Sequence, residues 1–318
     1  MTTTTPSTTP DGPGGSTGST TSEGPGRSTR STTSDAAGRS GEFTGSTGTG
    51  ARAGFGHLMA SEWAKIRSVR STVWSLIVMI VLTVGFTVLM AAITVMNWAT
   101  ASAARKWQMV GDPLTLLVQP GVSSGRLAVC VLGVMVIAGE YSTGSIRSSL
   151  LAVPGRTPML AAKAAVLGLL VFVVTELIVL PSFLIGAAIL GERVDVSLAD
   201  PEVLRAVTGA GLYLALQALF ALAVGTLLRH TAAAITCVLA LVLVVPNLLV
   251  MLPGEVGRAV YSFFPTVAGQ AILVGDAQQA ASPAPLASLS PWAGIAVLAL
   301  WTAALLALAA HLLRRRDA

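Results

Sequence analysis

The chain has 318 residues, 53% of them hydrophobic and only 11% charged, with a mean hydropathy of +0.73 and a formal net charge of +5. Soluble domains carry roughly 25% charged residues, so an ordinary soluble enzyme or a soluble nucleic-acid binder is excluded. The basic residues cluster at the ends of apolar runs, where they read as topology signals and contacts to anionic membrane lipid, with no nucleic-acid partner expected.

The first 50 residues contain 15 Thr, 9 Ser, 11 Gly and 4 Pro. Such a segment cannot bury enough apolar surface to offset the entropy of ordering, which predicts a disordered cytoplasmic tail over 1–55. It also lacks the apolar core of a secretory signal. Residues 56–318 then read as one transmembrane domain. Met59, Trp63, Ile66 and Val73 share a helix face, flanked by Lys65, Arg67 and Arg70. That pattern predicts an amphipathic helix lying in the membrane interface, ahead of the first span.

Six apolar segments follow, at about 74–96, 116–138, 164–190, 207–228, 232–252 and 292–313. Each approaches the roughly 20 residues needed to cross a bilayer. The expected fold class is an all-α polytopic membrane protein with six transmembrane helices. The second segment is the weakest. Only 13 residues separate Arg126 from Glu140, so its outer part must use the stretch around Gln119 to Gly125. The third carries Glu176 and Pro181; the fifth carries Pro246 and Asn247. Both prolines are expected to kink their helices. An ionisable group in a span costs about 2.5–3.5 kcal/mol on insertion scales, so Glu176 should face protein or a watery path. Together with Gln217 and Asn247 it is a candidate either for a translocation path or for packing. The segment Val260 to Val274 is apolar enough to re-enter the membrane where protein covers it.

Six spans place both termini on one side. With that side cytoplasmic, inner segments hold 11 basic residues outside the tail, and outer segments hold 6, Arg126 among them. This bias predicts a multi-pass protein of the cytoplasmic membrane with both termini inside.

No lysine follows a glycine, so there is no phosphate-binding loop. H-E-x-x-H and G-x-S-x-G are also missing, and the three histidines lie far apart. Cys130 and Cys237 sit singly inside apolar runs. No catalytic residue, metal site or cofactor is expected. Any work the protein does must draw on a partner or an ion gradient.

The most informative stretch runs from Gly139 to Arg156, between the second and third spans. Glu140 stands where the second span ends. Ser145 to Ala152 can form two helical turns, closed by Pro154 and Gly155. A short helix standing off the membrane suits docking into another protein's groove. Allowing for variation, Glu140, Gly144, Ser145, Ile146, Arg147, Leu150 and Pro154 match the pattern E-x-x-x-G-[ST]-[IL]-R-x-x-L-x-x-P, with Pro154 one residue later than the pattern places it. In this the chain resembles the membrane subunit of bacterial ABC-2 type ABC transporters, over about residues 57–318. The resemblance implies a permease without its own ATPase site, working as an exporter. It implies a separate ATP-binding subunit that receives this loop, and a second permease subunit. Two other readings stay open from the residues alone: an ion-coupled secondary transporter, or a non-transporting membrane anchor or sensor component.

Overall fold

The computed structural model describes residues 55–142, 156–194, 196–276 and 289–315. The tail expected over 1–55 lies outside the described residues apart from Phe55, the first residue of helix α1. Every regular element described is helical. In chain order they are α1 (Phe55–Ser68), α2 (Arg70–Asn97), α3 (Ala103–Gly111), α4 (Pro113–Leu117), α5 (Gln119–Ser142) and α6 (Arg156–Leu190). Next come α7 (Pro201–Leu228), α8 (Thr231–Leu239), α9 (Val245–Leu249), α10 (Gly254–Ser262), α11 (Pro265–Gln270) and α12 (Pro291–Arg315). Six helices are long and apolar enough to cross a membrane: α2, α5, α6, α7, the run Thr231–Leu249, and α12. That is the make-up of a multi-pass helical membrane protein.

The six are not equivalent. α5 and α7 are mostly enclosed by the others, whereas α2, the α8–α9 run and α12 leave most of their surface outside. Helix α2 shows what sorts its faces. Its buried stripe is Met79, Thr83, Thr87, Ala91 and Thr94, small or polar for the most part. Its exposed side carries Val78, Val81, Phe86, Leu89 and Ile93. Large aliphatic groups lose nothing against lipid tails, while small residues let helices approach.

The closest approaches confirm that logic. A Cβ on Gly133 of α5 would lie 2.3 Å from the Ala218 carbonyl oxygen of α7. One on Gly294 of α12 would lie 2.1 Å from the Ala268 carbonyl oxygen of α11. Only hydrogen fits at either point.

Helix starts follow their caps. Asp200 accepts from the Glu202 N–H at 3.0 Å ahead of Pro201, so α7 begins six residues before its apolar run. Asp112 caps α4, accepting from the Thr115 N–H at 3.3 Å and the Thr115 hydroxyl at 2.6 Å. Between α7 and α8 the chain turns in two residues, with Arg229 left-handed at φ 55°.

The expected proline kinks take different forms. α6 runs unbroken through Pro181. The fifth span instead widens at Ala240–Val244 into one π turn, where the Val245 N–H reaches back to the Ala240 carbonyl. Pro246 follows directly and has no N–H to offer.

Beyond the fifth span, α10 and α11 fold back against the bundle. Trp301 Nε1 donates to the Phe263 carbonyl at 3.2 Å. Trp301 lies about 15 Å along α12 from Pro291. The chain then climbs past Gly269, which abuts Leu298, and past Ala268 and Ala271, which abut Gly294. Pro265, Thr266, Ala268, Gly269, Ile272 and Leu273 are buried there. Of the segment read as able to re-enter the membrane, Pro265 to Leu273 is covered by α7 and α12, whereas Val260 and Phe263 are exposed. Its end is tied to the start of α7, because Arg205 pairs with Asp276 at 2.9 Å and donates to the Val274 carbonyl.

Candidate functional site

Helix α1 is separated from α2 by one extended residue, Val69, and lies against α6. Its buried residues are Leu58, Glu62 and Ile66, four apart along one face. The apolar stripe read from the sequence is divided between this buried face and the outer surface. Ile66 belongs to the buried face, but Trp63 is 46% exposed and borders an apolar groove of about 390 Å³ shared with Val166, Leu170 and Val173. A carboxylate takes the central buried position instead.

Glu62 is buried because two lysines meet it. Lys163, in the second turn of α6 and 1% exposed, donates to Glu62 Oε2 at 2.5 Å and to Glu140 Oε1 at 2.8 Å. Lys65, one turn along α1, donates to Glu62 Oε1 at 2.7 Å and lies 3.7 Å from Glu140 Oε1. Two carboxylates and two ammonium groups thus share one site with no net charge. The cluster joins α1, the last turns of α5 and the first turns of α6. A cavity of about 260 Å³ opens beside it, walled by Lys65, Ile66, Thr72, Met135, Glu140 and Lys163.

Burial opposes ionisation of Glu62, but the Lys163 and Lys65 ammonium groups outweigh it and hold its carboxyl below the ordinary 4.5. Burial likewise opposes the charge on Lys65, and the Glu62 and Glu140 carboxylates outweigh that, raising it above 10.5. The linkage has a definite sign. The Glu62 contribution to docking is present above about pH 4.5 and is lost as pH falls through the depressed value. The Lys65 contribution is present below about pH 10.5 and is lost as pH rises through the raised value. A spin-label distance between Ala60 on α1 and Leu169 on α6 should therefore stay constant from about pH 5 to pH 10 and broaden below that window. A distance unchanged in acid strong enough to protonate Glu62, as followed by its carboxyl infrared band, would show that the cluster does not hold α1.

The loop that follows the cluster is only partly described. Glu140 is in α5, turned into the cluster rather than toward solvent. Gly144, Ser145, Ile146, Arg147, Leu150 and Pro154 lie outside the described residues. Other contacts gather at the same end of the bundle. Arg229 stands over the Tyr141 ring at 5.7 Å, and Arg314 donates to the Thr157 hydroxyl at 2.9 Å.

The three intramembrane polar residues make separate contacts. Glu176 Oε1 accepts from the Gly211 N–H at 3.1 Å, so this carboxyl bridges α6 to α7 through backbone. Gln217 is fully buried in α7 beside Tyr213. Asn247 is exposed on the fifth span and donates to its own helix at the Leu243 carbonyl, 2.6 Å away.

Arg126 also departs from the reading that placed it among the outer charges. It lies inside α5, 7% exposed, and donates to the Tyr213 hydroxyl at 2.9 Å. No protein-family model matches the chain, and no curated protein matches it.

The sequence reading missed Glu62 and Lys163 as partners of Glu140. Two signals were present. Glu62 is the single acid on a basic helix and shares the face of Leu58 and Ile66. Lys163 is one of only three lysines in a chain otherwise supplied with arginine.

Proposed function

We propose that this chain is the membrane-spanning subunit of an ABC-2 type ATP-driven exporter, working with a separate ATP-binding subunit and a second permease subunit in the cytoplasmic membrane. In this reading both termini and the α5–α6 loop face the cytoplasm. The observation that carries the proposal is the loop itself. Its sequence follows the family pattern from Glu140 to Leu150, with Pro154 one residue beyond the pattern's proline. Its two roots are clamped, Glu140 before it and Lys163 after it, onto one another and onto Glu62 of α1.

That clamp gives the loop a mechanical use. A push delivered to a short docking helix between α5 and α6 would reach both spans together, with α1 moving alongside. Without the clamp the loop would flex at its ends and the push would dissipate. The partner supplies ATP hydrolysis; this chain supplies a lever and the spans it turns. Glu176 gives little support to an ion-coupled alternative, because its carboxyl is engaged with the Gly211 backbone.

The test is co-purification from native membranes in mild detergent, with mass spectrometry of the bound proteins. An ATP-binding subunit should come down with the full chain. Charge-reversing Arg147→Glu, or Ile146→Asp, should release it while leaving the permease intact. Recovery of the chain with no ATP-binding protein, and no effect of ATP on it, would overturn the reading.

A further inference from the structure

Arg126 is a charged group in a span with no charged partner among the described residues. It lies about 10 Å along α5 from Gln119, and only 7% of it is exposed. Its hydrogen bond goes to a neutral hydroxyl, that of Tyr213. Among the described residues it makes no ion pair, and Glu176, the acid nearest mid-span, is bound to Gly211 instead. The segment 277–288 contains no Asp or Glu, and Asp195 lies outside the described residues. A buried charge is normally matched by a counter-charge or neutralised, and arginine does not give up its proton.

The polar atoms around it are also unspent. Arg126 Nε is buried without a hydrogen-bond partner. Gln217, 0% exposed, lends Nε2 to the Tyr213 hydroxyl at 3.4 Å, and its other carboxamide atom has no partner. Thr266 of α11, 2% exposed, has an unpartnered hydroxyl. It lies one turn before Gly269, which abuts the Tyr213 ring, and so shares that face of α11. Two buried side chains with unmet donors, Arg126 of α5 and Thr266 of α11, thus come to the surroundings of one tyrosine of α7, whose hydroxyl Gln217 orients by donating to it.

We propose that Arg126, with Tyr213, Gln217 and Thr266, forms an intramembrane binding site for an oxyanion, a carboxylate or a phosphate. The planar guanidinium fork matches such groups in shape as well as charge. The anion supplies the counter-charge, and the Thr266 hydroxyl and the Tyr213 hydroxyl, which accepts from Arg126 and Gln217 and keeps its own proton, donate to oxygens that the guanidinium leaves open. That the anion is transported cargo rests on the exporter reading. The binding itself does not, and the test uses no ATPase, so the two can fail separately.

The test is thermal unfolding of the full chain in phosphatidylcholine nanodiscs at fixed ionic strength. Decanoate and decyl phosphate carry the anion on a membrane-borne tail. Acetate and inorganic phosphate offer it from water, and decanol is the uncharged control. At least one anion should raise the midpoint by several degrees and saturate, as ligand linkage requires, while decanol does not. A response to the alkyl forms alone places the source in the membrane; a response to the soluble forms alone places it in water. Arg126→Gln should abolish the response. Arg126→Lys, which keeps the charge if the glutamine variant does not fold, should raise the half-saturating concentration roughly tenfold, because the fork is lost. No saturable response to any anion, or an Arg126→Gln or Arg126→Lys variant that titrates like the native chain, would overturn the proposal.

Discussion

Replacing Lys163 with Met is expected to cost about 3–5 kcal/mol, the usual penalty for breaking a buried ion pair from one side. The side chain is 1% exposed and holds two carboxylates at once. Without it, Glu62 and Glu140 face each other with only Lys65 between them, and Lys65 is 41% exposed. The measurement is the unfolding midpoint of purified protein, with the fraction recovered folded. A second variant separates charge from packing. In Lys163→Met with Glu62→Met, the cluster keeps Glu140 and Lys65, one charge of each sign, and stability should return to within about 1 kcal/mol, since apolar replacement of a whole buried pair is often neutral. A single Lys163→Met variant as stable as the native chain would mean that the cluster contributes nothing to holding α1, α5 and α6 together.

Gly133→Val should be comparably damaging for a different reason. Its Cβ would fall 2.3 Å from the Ala218 carbonyl oxygen and 2.9 Å from the Ala221 Cβ. The first neighbour is backbone and cannot swing aside, so α5 and α7 must part. Overpacking of a well-packed site costs about 1–3 kcal/mol and sometimes more. This one falls between the two most enclosed spans, and the upper end is expected. Gly85→Val is the control. It adds the same atoms to α2 at a point where a Cβ meets nothing within 4 Å, and it should leave the midpoint unchanged. Equal midpoints for the two variants would show that the α5–α7 contact is looser than the distances imply.

The six long helices were legible in the sequence because membrane spans announce themselves by apolar length. Their ends were less so. Helix α6 begins at Arg156, well before the apolar run at 164, because Lys163 is polar in sequence yet buried by partners that an apolar count cannot see. The Asp200–Pro201 cap marked the start of α7 and was readable, but hydropathy alone placed it six residues late. On α1 the apolar stripe of Met59, Trp63 and Ile66 was legible, but the burial of Glu62 beside it was not. Periodicity finds a face; it does not say which charged residue will meet an opposite charge across the fold. Glu140 was singled out from its motif, yet the two residues that hold it come from other helices. Arg126 follows the same rule, since Tyr213 lies 87 residues further on.

That separation bears on how the protein is made. Synthesis runs from the N-terminus, so α5 emerges while α7 does not yet exist. Arg126 must then enter the bilayer, or wait beside it, before its hydrogen-bonding hydroxyl has been translated. At roughly 5–20 residues per second the delay is on the order of ten seconds. α5 is also among the least apolar of the six spans. It is therefore the helix that an insertion machinery would have to retain, releasing it only once α7 arrives to close over the guanidinium.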